Sequence, residues 1–167
     1  MELTTLYDSP LGTIALSSDG KALTGLWFGE PASSPSASPV FDDTLRWLDV
    51  YFGGREPRFM PPVALHGTDF QLRVWHELTS IPYGHTTTYG ELAQRIGCRS
   101  PQAVGGAVGR NPISIIIPCH RVIGANGLLT GYAWGIDRKQ YLLGLESRRL
   151  LFLPDEPGEV AAQGKKP

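Results

Sequence analysis

A cysteine stands between a proline and a histidine at the end of an apolar run, Ile115-Ile116-Ile117-Pro118-Cys119-His120-Arg121-Val122-Ile123-Gly124. A thiol reacts as its thiolate. Ordinary cysteine ionises near pH 8.5, and a neighbouring base or cation raises the ionised fraction. His120 offers the base and Arg121 a cation, although Arg121 reads as a structural ion-pair partner rather than a catalyst. Side chains adjacent on an extended segment point to opposite faces, so His120 need not touch Cys119, and a bridging water can carry the proton. Taken alone, a Cys-His pair fits a buried structural thiol as well as a nucleophile.

The elements that must position this stretch follow from pattern and punctuation. Residues 4 to 28 alternate as strands do, and Asp19-Gly20 between Thr13–Leu16 and Leu23–Phe28 is a hairpin signal. Pro31 to Pro39 is a loop by composition. Phe41, Leu45, Leu48 and Phe52 recur at helical spacing up to Gly53-Gly54, and this helix should pack on the hairpin. A short strand is expected at Val63-Ala64-Leu65. Thr68 or Asp69 caps a helix carrying Phe70, Val74, Trp75 and Leu78. Thr88 with Glu91 forms a capping box for a helix from Tyr89 to Ile96. The turn Cys98-Arg99-Ser100 leads to a second helix with Pro101 at its first position. Two short helices joined in this way read as a helix-turn-helix or as plain helix packing. Asn111-Pro112 opens a loop, and Ile113 to Ile117 reads as a buried strand or extended segment. Gly131-Tyr132-Ala133-Trp134-Gly135 is an aromatic loop, and Asp137 caps a last helix reaching Arg148-Arg149. From Pro154 the tail reads as disordered.

Charge separates along the chain. The net charge is −1, which by itself argues against nucleic acid. Yet Met1 to Asp69 holds four Lys/Arg against nine Asp/Glu, whereas Phe70 to Leu150 holds nine against four. A basic second half can be drawn to phosphates while the acidic half faces away. The two cysteines, Cys98 and Cys119, form no C-x-x-C pair, so a zinc site is not expected. Cys98 is assigned no role. No apolar run is long enough to span a membrane, and no basic-then-apolar leader opens the chain. A soluble, cytoplasmic protein (nuclear in a eukaryote) is the expectation.

In this setting the second half resembles the O6-alkylguanine-DNA alkyltransferases, from about Thr68 to Glu146. The resemblance runs through Phe70-Gln71, Val74-Trp75, Ile81-Pro82-Tyr83-Gly84, Thr88-Tyr89-Gly90-Glu91-Leu92-Ala93, Ala103-Val104-Gly105, Asn111-Pro112, Pro118-Cys119-His120-Arg121-Val122, Gly131-Tyr132 and Leu142-Leu143 through Glu146. It implies an α/β N-terminal domain with a small antiparallel sheet and a helix (1–66). A mainly α C-terminal domain with a helix-turn-helix (67–150) and a tail (151–167) follow. The implied reaction is irreversible, stoichiometric transfer of an alkyl group from O6-alkylguanine, and by the same resemblance O4-alkylthymine, to Cys119. No cofactor takes part.

The resemblance also assigns roles. His120 takes the thiol proton through water, Glu146 orients His120, and Asn111 fixes the active-site turn. Tyr132 and Ala133 line the pocket, and Tyr89 donates to the base as its nucleotide rotates out. Gln102, Ala103, Gly105, Val108 and Arg110 bind double-stranded DNA in the minor groove, with the protein acting as a monomer. Gln102 departs from the family pattern, which has arginine there to fill the gap left by the flipped base; Arg99 and Arg110 lie near enough in sequence to substitute in part. Two alternatives remain at this stage: a lesion-binding alkyltransferase-like protein, which would lack the acceptor cysteine, and an alkyltransferase with a non-duplex substrate.

Overall fold

The alternating first 28 residues form three strands, β1 (Leu3–Ser9), β2 (Gly12–Ser18) and β3 (Leu23–Phe28). They pair antiparallel in chain order, with Leu3 opposite Ser18 and Ile14 opposite Phe28. The computed structural model describes residues 2–31 and 33–151. The expected disorder from Pro154 lies outside the described residues. The turn expected at Asp19-Gly20 spans residues 19–22, and the Asp19 carboxylate accepts from the amides of Lys21 and Ala22, both at 2.8 Å. Strict alternation fails on the central strand: five consecutive residues, Ile14 to Ser18, are buried, so both faces of β2 are covered.

The described residues form two compact units, those up to His66 together with Pro112–Ile116, and Gly67–Asn111 together with those from Ile117 on. In the first, β3 is closed along its outer edge by two single bridges. Leu23 exchanges hydrogen bonds with Pro62 and Ala64, and Leu26 with Pro112 and Ser114. The strand expected at Val63–Leu65 is thus one bridge. The helix α1 (Pro39–Phe52) packs on this sheet through Val40, Phe41, Thr44, Trp47, Leu48 and Tyr51. The buried stripe is rotated from the expected Phe41, Leu45, Leu48, Phe52. Trp47 stacks on Tyr51 at 5.2 Å and pulls that face inward, while Phe52 lies half-buried against Tyr7.

The second unit is helical, and its local hydrogen bonds explain the boundaries. α2 (Asp69–Leu78) starts at Thr68, not Asp69, with Thr68 and Gln71 forming a reciprocal capping box. α3 (Tyr89–Arg95) has the expected box of Thr88 and Glu91, and Gly97 at φ +71° ends it. α4 (Pro101–Gly109) is capped by Ser100. The buried Trp75 indole donates to the Ala107 carbonyl at 2.8 Å and ties α2 to α4. A parallel pair, β4 (Thr87–Thr88) and β5 (Val122–Ile123), was not foreseen. α5 (Ile136–Leu151) closes the unit; Asp137 lies inside its first turn rather than at the cap. Among the described residues no helix is long and apolar enough to cross a membrane.

Candidate active site

The approach to the cysteine is a turn, not a strand. Only Ile113 pairs with the sheet; Ile115 adopts φ +73°, and the Ile116 amide returns to the Ser114 carbonyl at 2.8 Å. A β-branched residue in the left-handed region stores strain that the surroundings must hold, and Ile115 is 1% exposed. The chain then enters a 3₁₀ turn, Cys119–Arg121. Cys119 and His120 are therefore neighbours on a tight turn rather than on opposite faces of a strand. The Cys119 amide donates to the Ile117 carbonyl at 2.8 Å, and the Asn111 side-chain amide donates to the same oxygen at 2.7 Å.

β5 follows at once, with Thr87 opposite Val122 and Thr88 opposite Ile123. Thr88 is also the cap of α3. Two residues of parallel ladder thus fix the start of α3, and with it Tyr89, relative to the cysteine turn.

Behind the turn lies a buried ionic cluster. His120 Nε2 and Glu146 Oε2 are 2.6 Å apart. Arg121 donates from Nε to Glu146 Oε1 at 2.9 Å and from Nη2 to Oε2 at 3.1 Å; its Nη1 reaches the Ile81 carbonyl at 2.7 Å. The Gly84 amide adds a fourth donor to Glu146 at 3.2 Å. Burial alone would raise the Glu146 pKa, but His120 and Arg121 outweigh it and bring it down to about 2. Burial lowers that of His120, against the opposing pull of Glu146. The imidazole is therefore read as neutral, with Nε2–H donated to an ionised Glu146 and Nδ1 left as its basic nitrogen; this tautomer is assigned from the hydrogen bond. Arg121 is the ion-pair partner that its sequence position suggested.

In front lies a groove of about 350 Å³ lined by Tyr89, Pro101, Gln102, Gly105, Thr130 and Gly131. The Tyr89 hydroxyl donates to the Thr130 carbonyl at 3.3 Å. Gly105 and Gly131 sit so close to Tyr89 that a Cβ on either would touch it, at 3.7 and 3.4 Å. Burial, and then the Cys119 side chain when ionised, raise the pKa of both Tyr89 and Tyr132. Both phenols are therefore donors at neutral pH. The Tyr132 hydroxyl is buried with no hydrogen-bond partner among the described residues.

Gln102, Ala103 and Arg110 are exposed along α4, and Ala133 is exposed beside Tyr132. Val108, expected to face DNA, is 3% exposed and lies on the buried face of α4 with Val104 and Ala107. Helical phase decides this, since residues 104, 107 and 108 share one face. Two contributors went unread in the sequence: the backbone amide of Gly84 and the buried Lys139. Neither carried a signal, because a lysine beside Arg138 in a helix reads as solvated.

The same architecture is met in known proteins. The 6-O-methylguanine DNA methyltransferase DNA-binding domain model matches residues 69–148, and the ribonuclease-like domain model of the same family matches residues 3–65. The chain is 48% identical over 149 residues to the methylated-DNA–protein-cysteine methyltransferase of Mycobacterium tuberculosis H37Rv, covering 85% of this chain and 90% of that protein. It is 46% identical over 149 residues to the protein of that name from Methanosarcina acetivorans, covering 84% and 96%. The crystal structure of Mycobacterium tuberculosis O6-methylguanine methyltransferase superposes with TM-score 0.81 at 44% identity, covering 93% of this chain and 97% of that one. A structure of the Mycobacterium tuberculosis protein in complex with DNA gives 0.78 at 47%, covering 87% and 93%. The chain belongs to the 6-O-methylguanine DNA methyltransferase family.

Proposed function

We propose that this protein repairs alkylated DNA by moving the alkyl group from O6 of guanine to Cys119, once per molecule. The observation that carries the reading is the buried 2.6 Å contact between Glu146 on α5 and His120, which shares its 3₁₀ turn with Cys119. An ionised carboxylate fixes the imidazole, and its basic nitrogen takes the thiol proton through water. The thiolate attacks the alkyl carbon in line, the carbon–oxygen bond breaks, and its electron pair passes to O6. Tyr89, a protonated phenol, donates to the base; the guanine ends with the proton and Cys119 as a thioether. Nothing in this sequence returns the thioether to a thiol, so the protein is consumed.

Asn111 and the Cys119 amide share the Ile117 carbonyl, which supports a role for Asn111 in holding the turn. The alkylated base must leave the stack to reach a thiol that is 6% exposed. The exposed side of α4, with Gln102, Ala103 and Arg110, is the surface offered to the minor groove, and its small residues suit that narrow space. Binding as a monomer and O4-alkylthymine as a further substrate belong to the same reading. The presence of Cys119 in this setting weighs against a protein that only marks lesions.

The test is intact-mass analysis with peptide mapping after incubation with O6-methylguanine duplex DNA. One methyl per protein on the Cys119 peptide is expected. Methylation of Cys98, or turnover beyond one equivalent, refutes the reading.

A further inference from the structure

Lys139 has no exposed surface, and it lies in the first turn of α5. Burying an ammonium is unfavourable, and the N-terminal turn is the wrong end of a helix for a cation. Its Nζ donates to the Val122 carbonyl at 2.6 Å and to the Thr130 carbonyl at 2.8 Å. The Thr130 carbonyl also accepts from the Tyr89 hydroxyl, and Nζ lies 6.0 Å from the centre of the Tyr89 ring. One ammonium therefore joins three pieces of the second unit: β5, directly after the cysteine turn; the segment leading to Gly131-Tyr132; and the first residue of α3. Thr130, Gly131 and Tyr89 are three of the six residues that line the groove.

We propose that Lys139 is a positioning residue whose ammonium clamps the Thr130 carbonyl to β5 and so holds the groove wall, with the Tyr89 hydroxyl, in register with Cys119. The inference rests on the alkyl-transfer reading and adds to it a division of labour. The cluster of His120, Glu146 and Arg121 serves the thiol, while Lys139 shapes the space that the base must enter. A hydrophobic residue of similar length would fill the volume but leave the Val122 carbonyl without this donor. Burial brings the lysine down to about 8, against the opposing pull of Cys119. The titratable groups facing it are Cys119 and His120 on the 3₁₀ turn, with the Tyr89 phenol from α3. The clamp is at full strength below that pH and loosens above it, when the amine has lost its charge and one donor.

The experiment compares two electrophiles on the same thiol. O6-benzylguanine must occupy the groove; iodoacetamide needs only the thiolate. Rates are read by mass on the Cys119 peptide, so that labelling of Cys98 does not interfere. In Lys139→Met the ratio of benzyl transfer to carbamidomethylation is expected to fall tenfold or more. In the parent the same ratio is expected to be level below pH 8 and to decline above it, because thiol ionisation cancels between the probes. Parallel loss of both rates assigns Lys139 to the thiol and overturns the clamp, as does an unchanged ratio. Should Lys139→Met fail to fold, the parent's ratio against pH decides: a level ratio through pH 9 overturns the proposal. If the parent is inert to the free base, O6-methylguanine duplex DNA replaces it in the ratio; a parent inert to that DNA as well, while reactive to iodoacetamide, removes the alkyl-transfer reading and the clamp with it.

Discussion

The two sides of the Cys119 turn are built on opposite principles. Behind it, His120, Glu146 and Arg121 form an ionic cluster with almost no exposure, in which one carboxylate takes four donors. In front, the groove beside Tyr89 is open and carries two glycines and an uncharged glutamine. Charges hidden from water keep full strength and a fixed geometry. A surface of small residues instead admits a large, variable partner. Activation of the thiol therefore depends on burial, and recognition depends on emptiness.

The contrast is sharpest at the thiol itself. Cys119→Ser is expected to abolish transfer, with no methyl adduct detectable by mass, while duplex DNA affinity measured at fixed salt stays within about twofold, the scatter expected of a change that removes no phosphate contact. Loss of binding along with transfer would mean that the two sides are not separable.

Next in size is Glu146→Gln. Loss of the orienting carboxylate should slow single-turnover transfer by at least about tenfold, as expected for impaired general-base catalysis. It should also destabilise the fold by roughly 3–5 kcal/mol, because Arg121 would be left buried without its counter-charge. Chemical denaturation and quench kinetics measure the two effects separately. A mutant that is less stable yet equally fast would remove Glu146 from the chemistry.

The same carboxylate makes a pH prediction. Its folded pKa of about 2 lies below the ordinary 4.5. The stabilisation is therefore fully present above pH 4.5 and is lost as pH falls through about 2. A shift of that size corresponds to on the order of 3 kcal/mol. The stability of the parent should fall across that window, and Glu146→Gln should lack this component of the decline.

Smaller effects are expected on the open side. Gln102→Arg adds a cation beside the phosphates and a longer side chain to fill the gap left by an extruded base. Duplex repair should rise severalfold and the salt slope of binding should steepen by up to about one phosphate contact. Reaction with free O6-benzylguanine should hardly move. Equal changes with both substrates would place residue 102 in the pocket rather than at the extrusion step. The smallest expected effect is at Gly106, where an added Cβ meets nothing within 4 Å. Gly106→Ala should stabilise α4 by about 0.5–1 kcal/mol through lower unfolded-state entropy, with a modest loss of duplex affinity. Unchanged affinity would show that this face of α4 does not require small residues.

How much of this was legible in the residues varies with the range of the interactions. The start of α3 could be read because Thr88 and Glu91 satisfy each other across three positions, whereas that of α2 stayed open between Thr68 and Asp69 until the Thr68–Gln71 pair decided it. The stripe of α1 was half legible: its period was visible, but the stacking of Trp47 on Tyr51 chose the phase. The burial of Val108 was not legible, because small residues on a helix look alike until a core selects one face. Cys119 and His120 were legible as a thiol beside a base, Glu146 and Tyr89 were named through motif resemblance, and the distances among them were not readable at all.

By itself the sequence determined where short helices begin, which side chains are available for chemistry, and the separation of charge between the halves. All of these depend on residues near one another in the chain. Tertiary structure alone decided the left-handed turn at Ile115, which follows the pairing of Ile113 with the distant Leu26. It alone registered Tyr89 with Cys119, through two parallel residue pairs some 35 positions apart. It also turned Lys139, ordinary in sequence, into a buried clamp. An amide or an ammonium has no partner written beside it; folding must bring a carbonyl to it from another element, and the burial that follows sets how strong that bond is.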